Sequence, residues 1–207
     1  VNQVPEQNQV DIIQPDWDAP ENVAACTTTR RGGYSQGNWA SLNLAAHVGD
    51  DPVLVSRNRA LLREKLCLPS EPVWLEQVHG CDVIRAEDIE GSPVCDASFT
   101  TEAGVVCAVL TADCLPLLLC SEEGDQVAAV HAGWRGLAAG VIERAVKQMA
   151  YPGEKILAWM GPAIGPEAFE VGAEVREEFI RQDQHASMAF KEHGDRWLCD
   201  IYCLARQ

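Results

Sequence analysis

Three side chains in this sequence have the type and setting for metal chemistry. Cys114 stands in T-A-D-C-L-P, His131 in Q-V-A-A-V-H-A-G-W-R-G, and His79 in W-L-E-Q-V-H-G. Each lies where an apolar run begins or breaks, which places it at or near a strand end. Two imidazoles and a thiolate that converge form a three-ligand site with its fourth position open, the pattern of a catalytic zinc. Taken singly, a cysteine is most often a small buried hydrophobe and a strand histidine a satisfied core group. Their neighbours argue for more. Asp113, costly to bury at the end of an apolar strand unless paired, precedes Cys114. His131 leads into a helix start where backbone amides and Arg135 make a local anion site. Acid, thiol, imidazole and cation are therefore expected together.

The elements that must position them follow from the pattern. Thr111–Gly136 reads as strand, turn, strand and then a glycine-flanked entry to a helix, with Pro116 allowing a bend beside Cys114. If the strand runs regularly through Cys114, Thr111 and Asp113 face one side and Cys114 the other. Cys114 is then a ligand and Asp113 an orienting group or proton carrier. Gln77, two before His79, shares its face and is a substrate contact.

Elsewhere, residues 1–18 are polar, interrupted by Pro5 and Pro15, and read as a loose lead-in to a single domain over 19–207. Val23–Thr28 reads as a short strand, and Arg30 begins a glycine turn. Ser41–Asp50 is a long ordered loop whose His47 is the best remaining candidate for a fourth ligand. Asp51-Pro52 starts a helix with Val55, Leu62 and Leu66 on one stripe, ending near Leu68-Pro69. Val73–Val78 reads as a strand with Cys81–Arg85 as hairpin partner, and Gly104–Leu110 as a strand covered on both faces. Leu137, Val141, Ala145 and Met149 define one helix, Ile156–Met160 a buried strand, Ala173–Gln182 a third helix, and Asp200–Gln207 a fourth. The mixture predicts an α+β fold of mixed sheets flanked by helices, with the site at strand ends.

Bulk properties narrow the partners. Against 31 acids the chain has 16 lysines and arginines, a net charge of −15, which repels phosphate backbones and anionic lipid surfaces. Neither nucleic acid nor membrane is an expected partner, and no apolar run approaches membrane-spanning length. The oligomeric state is left open. Nine cysteines, an odd count without C-x-x-C spacing, fit reduced thiols and a cytoplasmic location. The opening residues are polar and acidic instead of a basic-then-apolar signal.

Beyond these readings, T-T-R-R-G-G-Y-S, S-L-N-L, W-L-E-Q-V-H-G, D-A-S, T-A-D-C-L-P, V-A-A-V-H-A-G-W-R-G and I-L-A-W-M-G-P-A-I-G-P-E-A-F-E-V-G closely resemble the YfiH/laccase-domain family. The resemblance runs from about Val23 to Gln207. Members are named polyphenol oxidase, purine nucleoside phosphorylase or peptidoglycan editing factor. The resemblance implies one metal, zinc or alternatively copper, on His79, Cys114 and His131, the trio already found. Members continue past this point with a cysteine-threonine segment and a Phe-Phe-Ser-Tyr-Arg-Arg run, which implies a chain shortened at its C-terminus.

Three chemistries compete. The first is a purine nucleoside enzyme that combines phosphorolysis of adenosine, inosine or methylthioadenosine with adenosine deamination. Zinc lowers the pKa of a bound water to about 7, which suits attack at purine C6. Phosphorolysis needs a phosphate site, for which Arg30 and Arg135 are candidates, with Asn43 and Gln77 as further substrate contacts. The second is copper-dependent phenol oxidation. Five histidines and no H-x-H pair rule out a four-copper site but allow a single copper. The third is amide hydrolysis in peptidoglycan precursor editing, through the same metal or with Cys114 as nucleophile and His131 as its base. A ligating thiolate is a poor free nucleophile, so those two versions exclude each other. A structural metal with four protein ligands stands as the non-enzymatic alternative.

Overall fold

The longest strand among the described residues is almost wholly apolar. In the computed structural model, which describes residues 9–89 and 91–207, L-P-L-L-L-C-S forms β5 and all but one of its residues are buried. In chain order the elements are β1 (Ile12–Ile13), β2 (Thr27–Thr28), α1 (Pro52–Lys65), β3 (Val83–Arg85), β4 (Ala97–Thr100), β5 (Leu115–Ser121), β6 (Val127–Ala132), α2 (Trp134–Ala138), α3 (Val141–Met149), β7 (Ile156–Met160), β8 (Glu170–Val171), α4 (Ala173–Gln182), β9 (Phe190–His193), β10 (Arg196–Cys199) and α5 (Ile201–Ala205). The main sheet has the order β3-β4-β6-β5-β7. It is mixed: β3 and β4 are parallel and the other pairs antiparallel. Two smaller sheets, β8-β10-β9 and β1-β2, complete a mixed α+β domain with helices on the outside.

Alternation along the strands divides the sheet into two faces. Ala97, Phe99, Leu115, Leu117, Leu119, Ala128, Val130 and Ala132 pack in one cluster with Val141, Ala145 and Met149 of α3 and Ile201 of α5. The residues between them, Asp96, Ser98, Thr100 and His131, are buried on the opposite, polar face. A second cluster joins β8, β9 and α4 through Val171, Val175, Phe179 and Phe190. The third sets α1 (Leu61, Leu62) against Leu42, Leu44 and Trp74. Asn58, fully buried in α1, is satisfied by the long loop: its amide donates to Asn43 O at 2.8 Å and accepts from Tyr34 N at 2.7 Å.

The α1 start is as read, with the Asp51 side chain accepting from Val53 N at 2.8 Å ahead of Pro52. Ala173–Gln182 and Ile156–Met160 also form with the expected limits. Other readings need correction. The strand over 23–28 shrinks to Thr27–Thr28, whose partner is Ile12–Ile13, inside the stretch read as a loose lead-in. Residues 1–8 of that lead-in lie outside the described residues. Val73–Val78 makes only isolated bridges, Val73 to Cys107 and Glu76 to Val94. Val83–Arg85 is no hairpin partner to it but pairs with β4 in parallel. Gly104–Leu110 forms no strand; Gly104 is exposed, residues 105–110 are only partly buried, and Cys107 bridges to Val73. The helix read through Leu137–Met149 is two, broken at Gly140, where φ is +82°. Among the described residues no helix is long and apolar enough to cross a membrane.

Burial sorts the thiols, all of which are free. It pushes Cys95 and Cys107 up to about 11 and Cys199 up to about 12, while Cys67 is exposed. Since the thiolate is the reactive form, iodoacetamide near pH 8 is expected to label Cys67 on native protein at least about tenfold faster than Cys95 or Cys199. Mass spectrometry of timed digests checks this; equal labelling would contradict the buried setting of the other two.

Candidate metal centre

The polar face of the sheet supplies the deepest donor. His131 is the penultimate residue of β6, opposite Pro116 of β5. Its backbone N–H donates to Asp96 O at 2.7 Å, so the residue just before β4 sits beside it on the same face. Its Nδ1 lies 2.7 Å from Asp96 Oδ1, and both side chains are buried. The contact has the length of an ion pair, yet burial holds the imidazole below its ordinary pKa against the pull of the carboxylate. We assign the neutral ring, which donates Nδ1–H to Asp96 and leaves the Nε2 lone pair for a cation.

Cys114 comes one residue before β5 and is half-buried; burial, then the charges of Asp113 and Asp96, raise its pKa. His79 is exposed on the turn after Val73–Val78. These three side chains, far apart in the chain, bring one donor atom each to within 4.8 Å of one another. The two rings meet edge to face with centroids 4.8 Å apart. Glycines allow the approach. A Cβ on Gly133 would stand 3.0 Å from both Cys114 Sγ and His79 Cδ2, and one on Gly136 would stand 2.8 Å from Gly80 O.

The donor chemistry fits zinc or copper, since two imidazoles and a thiolate suit both. Metal bonds of about 2.0–2.3 Å set tetrahedral donor separations of about 3.3–3.8 Å. Inward movement of about an ångström reaches that range, and the exposed ring of His79 has room to make it. His47, exposed in its loop, is not in the cluster, and no acid joins it among the described residues. The remaining imidazoles are committed elsewhere: His185 contacts Asp183 at 2.9 Å and His193 contacts Glu170 at 3.1 Å.

The other residues singled out from the sequence fare differently. Asp113 is exposed, which removes the argument that it is a costly buried acid. The regular strand starts only at Leu115, so strict alternation does not govern residues 113 and 114. Gln77 spends its amide on a neighbouring backbone, donating to Leu110 O at 2.8 Å and accepting from Leu110 N at 2.7 Å. Asn43 is occupied by Ala45 and Asp50. Arg30 donates to Ala40 O at 2.7 Å and Asn38 O at 3.0 Å, which organises its own loop. Arg135 is exposed, its guanidinium 4.4 Å from the Trp134 ring centroid, two residues beyond Gly133. The residue that sequence reasoning missed is Asp96. Its signal was an acid on the threshold of an apolar strand, in C-D-A-S-F.

Two outcomes are expected. A neutral His131 and a protonated Cys114 mean that metal uptake expels the thiol proton, so affinity rises with pH, by up to about tenfold per unit below the raised thiol pKa. Chelator competition between about pH 6.5 and 8 measures this; flat affinity would show that Cys114 does not ligate. Gly133→Ala is expected to weaken binding about tenfold by pushing Cys114 and His79 apart, with the melting temperature recorded in parallel to separate a general loss of fold.

A family model described as multi-copper polyphenol oxidoreductase laccase matches residues 24–207. Purine nucleoside phosphorylase YfiH of Escherichia coli (strain K12) is 56% identical over 200 residues, spanning 95% of this chain and 81% of that protein. The like-named protein of Shigella flexneri is 57% identical over the same shares. Among solved structures, that of the Neisseria meningitidis protein NMB0706 is similar with a TM-score of 0.90 and 45% identity, covering 94% of this chain and 81% of that one. Sequence, fold and the likeness over nearly the whole chain agree: the protein belongs to the YfiH/laccase-domain family.

Proposed function

We propose that this protein is a metal-dependent purine nucleoside enzyme, splitting nucleosides with phosphate and deaminating adenosine, with His79, Cys114 and His131 as the metal ligands. The observation that carries the reading is the gradation of exposure across the three donors, from buried His131 through half-buried Cys114 to exposed His79. A structural site is closed by four protein ligands. Here the cluster offers three donors and reaches solvent at His79 and, in part, at Cys114, with His131 buried behind them. The names of the similar Escherichia coli and Shigella proteins support the substrate class.

When bound, the metal supplies a Lewis acid and lowers the pKa of a coordinated water. The chain supplies the rest. Asp96 holds the His131 ring in the tautomer that turns Nε2 outward. Asp113, exposed and next to Cys114 in the chain, carries protons between substrate and solvent in this reading. Arg135 is the cation for phosphate, because the guanidinium of Arg30 is already held by two backbone carbonyls. In phosphorolysis a phosphate oxygen bonds to ribose C1′ while the C1′–N9 bond breaks, and the base leaves with a proton. In deamination, water adds its oxygen at C6 and ammonia departs. Zinc is favoured over a multi-copper centre by the donor count, since the cluster offers three donors for one ion and three of the five histidines lie outside it.

The test assays zinc-loaded protein of determined metal content with adenosine and phosphate. Adenine with ribose 1-phosphate, plus inosine, are the expected products. Cys114→Ala is expected to lose metal and both activities together, whereas retained metal with dead catalysis would favour the thiol as nucleophile. Arg135→Ala is expected to raise KM for phosphate about tenfold with a smaller change in kcat. Release of serine from the muramic acid nucleotide, or phenol oxidation by copper-loaded protein, in the absence of nucleoside products would replace this reading.

A further inference from the structure

We infer that Asp96 is the single positioning residue for both histidines of the cluster, fixing the ring of one and the backbone of the other. The inference rests on the metal-centre reading above and extends it to a residue that does not touch the metal.

Asp96 is fully buried, and all its acceptor capacity is directed at this corner of the fold. Oδ1 accepts from His79 N at 2.9 Å and contacts His131 Nδ1 at 2.7 Å. Oδ2 accepts from Gly80 N at 2.6 Å and Val78 N at 3.2 Å. Three successive amides of the turn therefore converge on one carboxylate, the way a concave run of backbone N–H groups holds an anion. A buried charge without such donors would be strongly unfavourable, so the carboxylate and the turn require each other.

The turn has a conformation that needs outside support. His79 adopts φ +59°, in the left-handed region, which is uncommon for residues other than glycine even though histidine, like asparagine and aspartate, enters it more often than most. That backbone sends its amide to Asp96 and its ring to the edge of His131. Strain held at one residue beside a candidate site by a buried partner is a recurrent feature of functional sites. On the other side, the Nδ1 contact selects the His131 tautomer whose Nε2 is free. One carboxylate thus couples the geometry of two ligands that are 52 residues apart in sequence.

An isosteric change separates this role from simple space filling. In Asp96→Asn the amino group must replace one oxygen. It then faces either the amides of Gly80 and Val78, or His79 N and His131 Nδ1–H, donor against donor in both cases. The side-chain volume is nearly unchanged, so what is lost is the accepting charge.

The experiment has two arms. On metal-free wild-type protein, long-range 1H–15N correlation spectra read the tautomer of His131, and hydrogen exchange reads the amides of residues 78–80. Nδ1–H at His131 and amides protected by at least about tenfold over those of exposed turns are expected; the Nε2–H tautomer, or unprotected amides, would overturn the inference. In the second arm Zn2+ alone is competed against a chromophoric chelator, with circular dichroism as the check of folding. Asp96→Asn is expected to weaken Zn2+ about 10- to 100-fold and to shift the ring resonances of both His79 and His131. Folded Asp96→Asn that binds Zn2+ within about threefold of wild type would overturn it. Should that variant not fold, the wild-type spectra decide the question alone. Wild-type protein with the expected tautomer that takes up no Zn2+ defeats the metal-centre reading, and with it the positioning role, whereas the wrong tautomer with Zn2+ bound defeats only the latter.

Discussion

A carboxylate buried without solvent is the constraint around which this molecule is built. An ionised acid in a protein interior survives only where donors converge on it, and Asp96 recruits three backbone amides from one segment and an imidazole from another. The cost of leaving any of those donors unplaced ties a turn, a strand end and a strand interior to one point. The apolar face of the sheet supplies the general stabilisation. The polar face carries the geometry, with the amides of Val78, His79 and Gly80 laid against it through Asp96.

Assembly of the cluster follows from the way antiparallel register works. Side chains on neighbouring strands share a face only if the pairing is in step, and slipping one residue inverts every contact. With Ala97 opposite Val130, Asp96 falls beside His131; with Leu115 opposite Ala132, Cys114 arrives at the same corner. The alternating apolar residues of β4, β5 and β6 that pack on α3 thereby set the positions of the polar ones. Core packing and site assembly are one selection for register. The small residues of H-A-G-W-R-G let the start of α2 pass close enough to leave the donors in contact.

Much of this was legible in the chain. The cluster of His79, Cys114 and His131 was legible because a thiol and two imidazoles occurred at breaks in apolar runs, a local signal. The α1 cap was legible for the same reason: Asp51 and Pro52 act within one turn. What was not legible depends on distant partners. Asp96 stands in C-D-A-S-F with no local partner to single it out, and only tertiary packing shows that its partners lie in residues 78–80 and 131. The segments Val73–Val78 and Gly104–Leu110 have strand-like composition, but they pair through isolated bridges instead of a ladder, and composition cannot distinguish the two. Gly140 sat inside a four-residue apolar repeat that reads through it, although its left-handed conformation breaks the helix. Asn43, Gln77 and Arg30 were legible as polar residues in suggestive motifs, but the backbone groups they bind are fixed by the loops they organise.

Gln77 illustrates how chemical ageing would act on such a structure. Its amide supplies both a donor and an acceptor to Leu110, standing in for the edge of a neighbouring strand. Spontaneous deamidation would turn the amino group into an oxygen and set it against the Leu110 carbonyl, acceptor against acceptor. The covering segment would then part from the turn that bears His79, so slow hydrolysis of one side-chain amide would loosen the neighbourhood of the site without altering any residue in it.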